Sequence, residues 1–362
     1  KERFRFFQLP ARAGTRQWFS PVGVFAAAMI LALGYALCTD RVWEDYYITW
    51  KSSKNLVDGH GLVYHQGEKV HTFTSPLGVL LPALCSVLTF NHSDAAALWL
   101  FRIFSSAALA GAVALLYATT LRLRYHPLAA GLLALLLMTD AKSVDFSING
   151  METGILLLFL AYTFWAALAA PRRQFLHLGL AWGGLMWSRP DGFIYIGALA
   201  AGILLFNNAR ITGRTRAEWL KTFLAAGAVC TAVYLPWFLG AWIYYGSPVP
   251  HTVVAKATSA GDRSLWGAFM VWLKLPLAPF KELSSVEGFF MPSAYFYGGW
   301  PEPLLRLARF LAGLAALLWL VPRVRWETRA VSFALGILAT YLGYFPATVP
   351  MGWYLPGPAW MA

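Results

Sequence analysis

The 362-residue chain is 58% hydrophobic and 16% aromatic but only 13% charged, about half the charged share of a soluble domain, which excludes a water-soluble globule. Its net charge of +12 does not mark a nucleic-acid binder, because the basic residues fall in short clusters between apolar runs. Those clusters, Lys1–Arg16, Arg122–Arg124, Arg172–Arg173, Arg210–Lys221 and Arg323–Arg329, hold 16 of the 29 Lys and Arg and by the positive-inside rule mark cytoplasmic loops.

Taken in chain order, the basic arm Lys1–Arg16 sits in the cytoplasm and a first span, about Pro21 to Cys38, leads outward. No cleavable signal peptide is evident, since the apolar run follows a long basic arm without a convincing cleavage site. A long polar loop follows over Thr39 to Thr74. Within it Tyr46 to Asp58 has helical periodicity, with Lys51, Lys54, Asn55 and Asp58 as a polar stripe, the pattern of an interfacial helix. Asp58-Gly59-His60-Gly61 then breaks the helix. Ser75 to Phe90 is apolar but short, and only a non-crossing segment there keeps every later basic cluster inside, so it reads as juxtamembrane or re-entrant. Ala95 to Thr120 spans next. Subsequent hairpins place Asp140–Thr153, Ser188–Gly192 and Tyr244 to about Pro301 outside, with the segment from Phe345 onward outside again.

The expectation is an all-α, polytopic transmembrane helical bundle of about nine to ten spans, with extracytoplasmic juxtamembrane helices. It forms a single domain over residues 1–362, with a first extracytoplasmic loop at 39–75 and a long one at 244–301. No part of it reads as a C-terminal soluble domain, and a chain that starts without Met and stops in an apolar stretch reads as the ordered part of something longer. Cys38, Cys85 and Cys230 lie far apart beside apolar runs; they form neither a disulfide framework nor a metal motif and read as small packing residues.

Of 17 acidic residues only Glu2, Glu218 and Glu327 fall within the basic clusters, so the polar chemistry lies on the opposite side. Glu44 and Asp45 open the first loop. Adjacent carboxylates at a membrane surface are costly unless used: one can act as general base toward a hydroxyl while the other positions a cation or a sugar. Further along, His71 and Thr74 offer hydrogen bonds to sugar hydroxyls, while His60, His65 and His71 lack metal-ligand spacing. The second outside loop carries Asn149 and Glu152; Asn149 could equally cap a helix. The third carries Arg189 and Asp191, which could simply pair with each other. The fourth carries His251 and Lys256, residue types that meet phosphate, and the last carries Trp353 and Tyr354, whose rings could stack on sugar or lipid. Five polar signatures converging on one side point to an extracytoplasmic site.

These residues resemble the GT-C class of membrane glycosyltransferases, and within it the mycobacterial terminal β-(1→2)-arabinofuranosyltransferases. The resemblance rests on Glu44-Asp45-Tyr46-Tyr47-Ile48, Lys51 with Asn55-Leu56, Gly59-His60-Gly61-Leu62-Val63, Gly67-Glu68 and Phe73-Thr74-Ser75-Pro76-Leu77. Further along it continues through Gly150-Met151-Glu152-Thr153, Arg189-Pro190-Asp191-Gly192, Pro250 to Lys256 and Tyr354-Leu355-Pro356. The chain departs from the family pattern with Glu44 in place of the usual first Asp and Trp353 where a basic residue is expected.

The resemblance implies a bacterial inner-membrane enzyme with an extracytoplasmic site. It would move a sugar, such as arabinofuranose, with inversion from a polyprenyl-phosphate donor to a cell-envelope glycan. An acid of the first loop, Asp45 with Glu44 as its partner, would be the base, and Lys51 would join the substrate-binding residues. The leaving phosphate needs charge stabilisation, for which Lys256, His251 and Arg189 are candidates. A divalent cation could bridge it, although the sequence demands none. Two other readings stay open. A transporter or flippase for a lipid-linked sugar would show ionisable residues at mid-span, of which Arg102 is the nearest example. A ligase acting on a lipid-pyrophosphate glycan shares the same site logic.

Overall fold

The structure is a computed structural model and describes residues 19–257, 264, 266–267, 269–270, 301–344 and 354–362. Among the described residues every regular element is helical, as expected for an all-α bundle. The α-helices are α1 (Pro21–Thr39), α2 (Glu44–Val57), α3 (Pro76–Leu88), α4 (Asp94–Arg122), α5 (Pro127–Thr139), α6 (Ala141–Ile148), α7 (Thr153–Leu168), α8 (Gln174–Ser188), α9 (Gly192–Phe206), α10 (Ala209–Thr212), α11 (Arg216–Tyr245), α12 (His251–Ala257), α13 (Glu302–Ala315), α14 (Trp326–Tyr344) and α15 (Pro356–Met361).

Local sequence sets the helix starts. Ser20, Ser75 and Ser93 accept from the backbone amides of Gly23, Gly78 and Ala96 through their hydroxyls, filling N-terminal donors that a helix leaves unmet. Thr215 and Glu218 form a reciprocal capping box at the head of α11, which ends at Gly246 in the left-handed region. Among the described residues three helices, α1, α4 and α11, are long and apolar enough to cross a membrane, or four if the pair α5 and α6, bent by 49°, is one broken span. Length alone therefore supports fewer crossings than the nine to ten expected. Helices α7, α8 and α9 have 15 or 16 residues, about 24 Å at 1.5 Å per residue, short of a hydrocarbon core of about 30 Å. With 13 residues and an internal Pro82, α3 is shorter still.

The bundle is held by small-residue seams. Helix α4 packs on α1 and α7, α8 packs between α7 and α11, and α14 packs on α9. The face of α1 toward α4 is an alanine ridge, Ala28, Ala32 and Ala36, all buried. On α8, a methyl at Gly179 would lie 2.4 Å from Val229 of α11 and one at Gly183 2.7 Å from Val233. The two backbones thus approach as closely as membrane helices do where small residues line the contact. Outward-facing Leu220, Leu224, Leu239 and Ile243 of α11 remain exposed, which suits a lipid-facing surface.

The basic clusters among the described residues, those around Arg122, Arg173, Arg214 and Arg325, gather at one end. Arg122 donates to the Ala169 carbonyl at 3.0 Å, Arg325 to the Leu123 carbonyl at 3.2 Å, and Arg214 to the side chain of Gln174. At the opposite end α2 packs on α3 and covers nearly the stretch in which an interfacial helix is expected from sequence. One expected feature differs. Asn55 is not on an outward polar stripe but buried, its amide donating to the carbonyls of Val63 and Tyr64 at 2.8 and 3.0 Å. Tyr47, Ile48 and Leu56 are exposed instead. The loop carbonyls of residues 63 and 64 need donors once buried, and Asn55 supplies both.

Candidate functional site

The residues linking α1 to α2 are fixed on both sides. Arg102, just over two turns into α4 and 0% exposed, donates to the Arg41 carbonyl at 2.7 Å and pairs with Asp40 at 3.3 Å. Its guanidinium also lies 4.6 Å from the Trp99 ring centre. Trp43, the N-cap of α2, donates its backbone amide to the Asn149 carbonyl and its indole N–H to Asp145 Oδ2, both at 3.0 Å. Tyr46 is buried and stacks on Trp50 and Phe101. The loop after α6 slides under Tyr46 because residue 150 is glycine. At φ +100° a β-carbon there would sit 2.5 Å from the Tyr46 ring, so both backbone conformation and space require its absence.

This docking brings Asp45 toward the second loop. Glu44 is exposed and Asp45 half-buried. Asp45 lies close enough to Glu152, the N-cap residue of α7, to push the Glu152 pKa upward. Glu152 is 7% exposed and Arg189, just beyond α8, is 5% exposed. Arg189 Nε donates to Asp191 Oδ1 at 2.9 Å, and its Nη1 lies 3.7 Å from Glu152 Oε1. The Tyr354 ring centre is 3.9 Å from the guanidinium carbon. The first turn of α3 closes against the same group, since a methyl at Gly78 would lie 3.2 Å from Glu152 Oε2.

Burial raises the Glu152 pKa, Arg189 opposes that, and Asp191 and Asp45 add to it. For Arg189 burial works against the charge, but Asp191, Tyr354 and Glu152 outweigh it, so the guanidinium is held charged well above its ordinary range. The geometry thus settles one open alternative: Arg189 and Asp191 do pair, and Glu152 shares the cation. The guanidinium is already spent on carboxylates within the protein rather than presented to solvent.

A second assembly lies where the first loop meets the end of α11. His251 donates its backbone amide to the His71 carbonyl at 3.0 Å, and His71 donates its own amide to His251 Nδ1 at 3.1 Å. The His71 ring is 1% exposed and stacks on Tyr245 at 4.6 Å. Burial, with His251 adding, lowers its pKa to about 4. The Tyr245 hydroxyl donates to the Leu62 carbonyl at 2.5 Å.

Five of the residues expected from sequence meet in one group: Asp45, Glu152, Arg189, Asp191 and Tyr354. Asn149 lies at its edge, buried and bonded to Asp145 through its side-chain amide. Thr74 is half-buried beside the α3 cap, and His71 and His251 clip their loops together. Lys51 stays exposed on α2 and is not drawn into the group. Trp353 and the Lys256 side chain lie outside the described residues.

Sequence reasoning gave no role to Asp145 or Lys142. Asp145 is 3% exposed and Lys142 8% exposed. Burial, partly opposed by Asp140, brings Lys142 down to about 8. The four-residue spacing of Asp145 and Asn149 on one helix face was the available signal. Among the described residues no group of three or more His, Cys, Asp or Glu side chains is placed to hold a metal ion.

Fold and site together define a helical membrane protein with a composite polar site at the end of its bundle opposite the basic clusters. Its sequence resembles the terminal β-(1→2)-arabinofuranosyltransferases. It is 29% identical over 252 residues to the protein of that name from Corynebacterium glutamicum, covering 63% of this chain and 34% of the relative. It is 27% identical over 278 residues to the one from Mycobacterium tuberculosis, covering 71% of this chain and 40% of the relative. The chain thus spans between a third and two-fifths of these relatives' lengths. No family model matches it, and no solved structure does.

Proposed function

We propose that this chain forms the membrane-embedded part of a glycosyltransferase acting on the extracytoplasmic face of a bacterial inner membrane. It would transfer a sugar, arabinofuranose by analogy with its relatives' names, from a polyprenyl-phosphate donor to a cell-envelope glycan. The observation that carries this reading is the meeting of Asp45 with Glu152, Arg189, Asp191 and Tyr354 from four separate loops, at the end of the bundle away from the basic clusters.

In the proposed reaction the acceptor hydroxyl oxygen attacks the anomeric carbon while Asp45 takes the hydroxyl proton. The bond from that carbon to the phosphate oxygen breaks, and prenyl phosphate leaves with the electron pair. Glu152, Asp191 and Arg189 form the fixed floor beside the base, and Tyr354 offers an aromatic face. Phosphate recognition falls to the fourth loop, through His251 and Lys256, because Arg189 is already paired. The transporter reading loses its nearest support, since Arg102 is bonded to Asp40 and to the Arg41 carbonyl at a helix end and serves as an anchor.

The test is transfer from a prenyl-phosphate pentose donor by the purified chain in lipid or detergent. A general base contributes roughly 10²- to 10⁴-fold, so Asp45→Asn should lower turnover at least a hundredfold while donor binding persists. Glu44→Gln, at an exposed position, should cost less. Full activity in both variants would overturn the assignment of the base. Loss in Glu44→Gln alone would exchange their roles.

A further inference from the structure

The acid proposed as base sits on the first turn of α2, two residues after Trp43, and nothing within α2 itself caps that turn: Trp43 makes no side-chain cap bond. The start of the helix is held from outside instead. Trp43 makes two polar contacts to the α6 segment, its indole to Asp145 and its amide to the Asn149 carbonyl, each 3.0 Å. Its ring stacks on Phe146 of the same segment with centres 4.8 Å apart and planes 25° from parallel. The Arg41 guanidinium sits 4.2 Å from the Trp43 ring centre and acts electrostatically on Asp145.

Asp145 is oriented in turn. Its second carboxylate oxygen accepts from the Asn149 side-chain amide, and both residues are almost wholly buried. Three residues past Asn149 the same segment delivers Glu152. One stretch of chain therefore holds the helix that carries Asp45 and supplies Glu152, the carboxylate on which Asp45 acts electrostatically.

We infer that Asp145 is a positioning residue: oriented by Asn149, it grips the Trp43 indole, fixing the first turn of α2 and so the placement of Asp45 near the Glu152–Arg189 pair. This rests on the reading of Asp45 as base. Asp145 does not touch the reacting atoms. Its effect runs through the indole hydrogen bond, and displacing a catalytic group by about 1 Å costs on the order of a hundredfold in rate.

Two conservative variants test it. Trp43→Phe keeps an aromatic ring on Phe146 and the backbone bond to Asn149 but deletes the N–H. Asp145→Asn keeps the shape while leaving the Asn149 amide facing another amide. Each should lower kcat about tenfold to a hundredfold with KM for donor and acceptor within about twofold of wild type. The double variant should be no worse than the poorer single one, because both break one link. Thermal midpoints should shift little and should not track the kcat losses.

If Asp45→Asn abolishes transfer while Trp43→Phe and Asp145→Asn keep wild-type kcat, the positioning role is refuted and the base assignment survives. Additive losses, or losses that follow the thermal midpoint with KM rising in parallel, would equally refute it by marking a general packing role. If Asp45→Asn itself is fully active, the reading of the base fails and takes this inference with it.

Discussion

Replacing Arg189 with methionine should destabilise the protein in a way that depends on pH. Arg189 is 5% exposed and serves two carboxylates, Asp191 at 2.9 Å and Glu152 at 3.7 Å. At an effective dielectric of about 20, each attraction is on the order of 4–6 kcal/mol before desolvation. Desolvation cancels much of that in the intact pair, but deleting the cation leaves two carboxylates buried without a counter-charge, a change that costs about 3–5 kcal/mol. The loss should appear as a thermal midpoint in detergent lowered by roughly 6–10 °C.

The sign of the pH effect follows from Glu152. Its folded-state pKa already lies above the ordinary value, through burial, and losing Arg189 raises it further. A carboxyl with a raised folded pKa binds more protons folded than unfolded between the two pKa values. Stability therefore falls as pH rises through that window, above the ordinary Glu value of about 4.3. The Arg189→Met penalty should be largest at pH 8 and shrink toward pH 5. Adding Glu152→Gln should recover part of the loss at pH 8, because one orphaned charge is then gone. An equal penalty at both pH values, or no penalty, would refute the buried ion-pair account.

Gly150→Ala should cost about 1–3 kcal/mol in thermal unfolding, since φ is +100° and the new methyl meets the Tyr46 ring at 2.5 Å. Gly59→Ala, at φ +82° with open space around it, should show only the smaller backbone cost. His71, with its pKa lowered to about 4 chiefly by burial, binds fewer protons folded than unfolded between about pH 4 and 6.5. Stability should therefore drop as pH falls through that window, and His71→Phe should flatten this limb of the unfolding profile.

Much of the scaffold was legible because it is written in local signals. The break at Asp58 to Gly61 and the serine and proline at the head of α3 place helix ends within a residue or two of where they fall. That the described basic clusters share one end of the bundle was legible for a collective reason, as charge between apolar runs has nowhere else to go. The convergence of Asp45, Glu152, Arg189, Asp191 and Tyr354 could be guessed from four loops opening on one side, and the Arg189–Asp191 pair was one of two open readings, but the reach of Arg189 to Glu152 was not foreseen. Arg189 is two residues from Asp191 and 37 from Glu152, and only packing decides that it serves both. Asn55 was misread because periodicity records polarity, not direction, and a buried amide looks the same in sequence as a solvated one. The Trp43–Asp145 bond joins residues 102 apart, a separation at which no spacing rule operates.

The charge balance within the group bears on where a donor phosphate can lie. Arg189 contributes one positive charge, while Glu152 and Asp191 contribute one negative charge each when ionised, so these three carry a net charge of −1, and Asp45 and Glu44 beside them are acids as well. Such a surface favours a base, and favours positive charge growing on a sugar ring as the leaving group departs, but it repels a phosphate dianion. On the proposed chemistry the phosphate must therefore sit away from Asp45, toward cations on another element. Helix α12 begins at His251 and is tied to the first loop by two bonds between His251 and His71, one from the His251 amide to the His71 carbonyl and one from the His71 amide to His251 Nδ1. That tie fixes the fourth loop, which carries Lys256, relative to the loop that carries the base. Inverting displacement needs this separation: the acceptor approaches one face of the anomeric carbon with its base while the phosphate leaves from the opposite face.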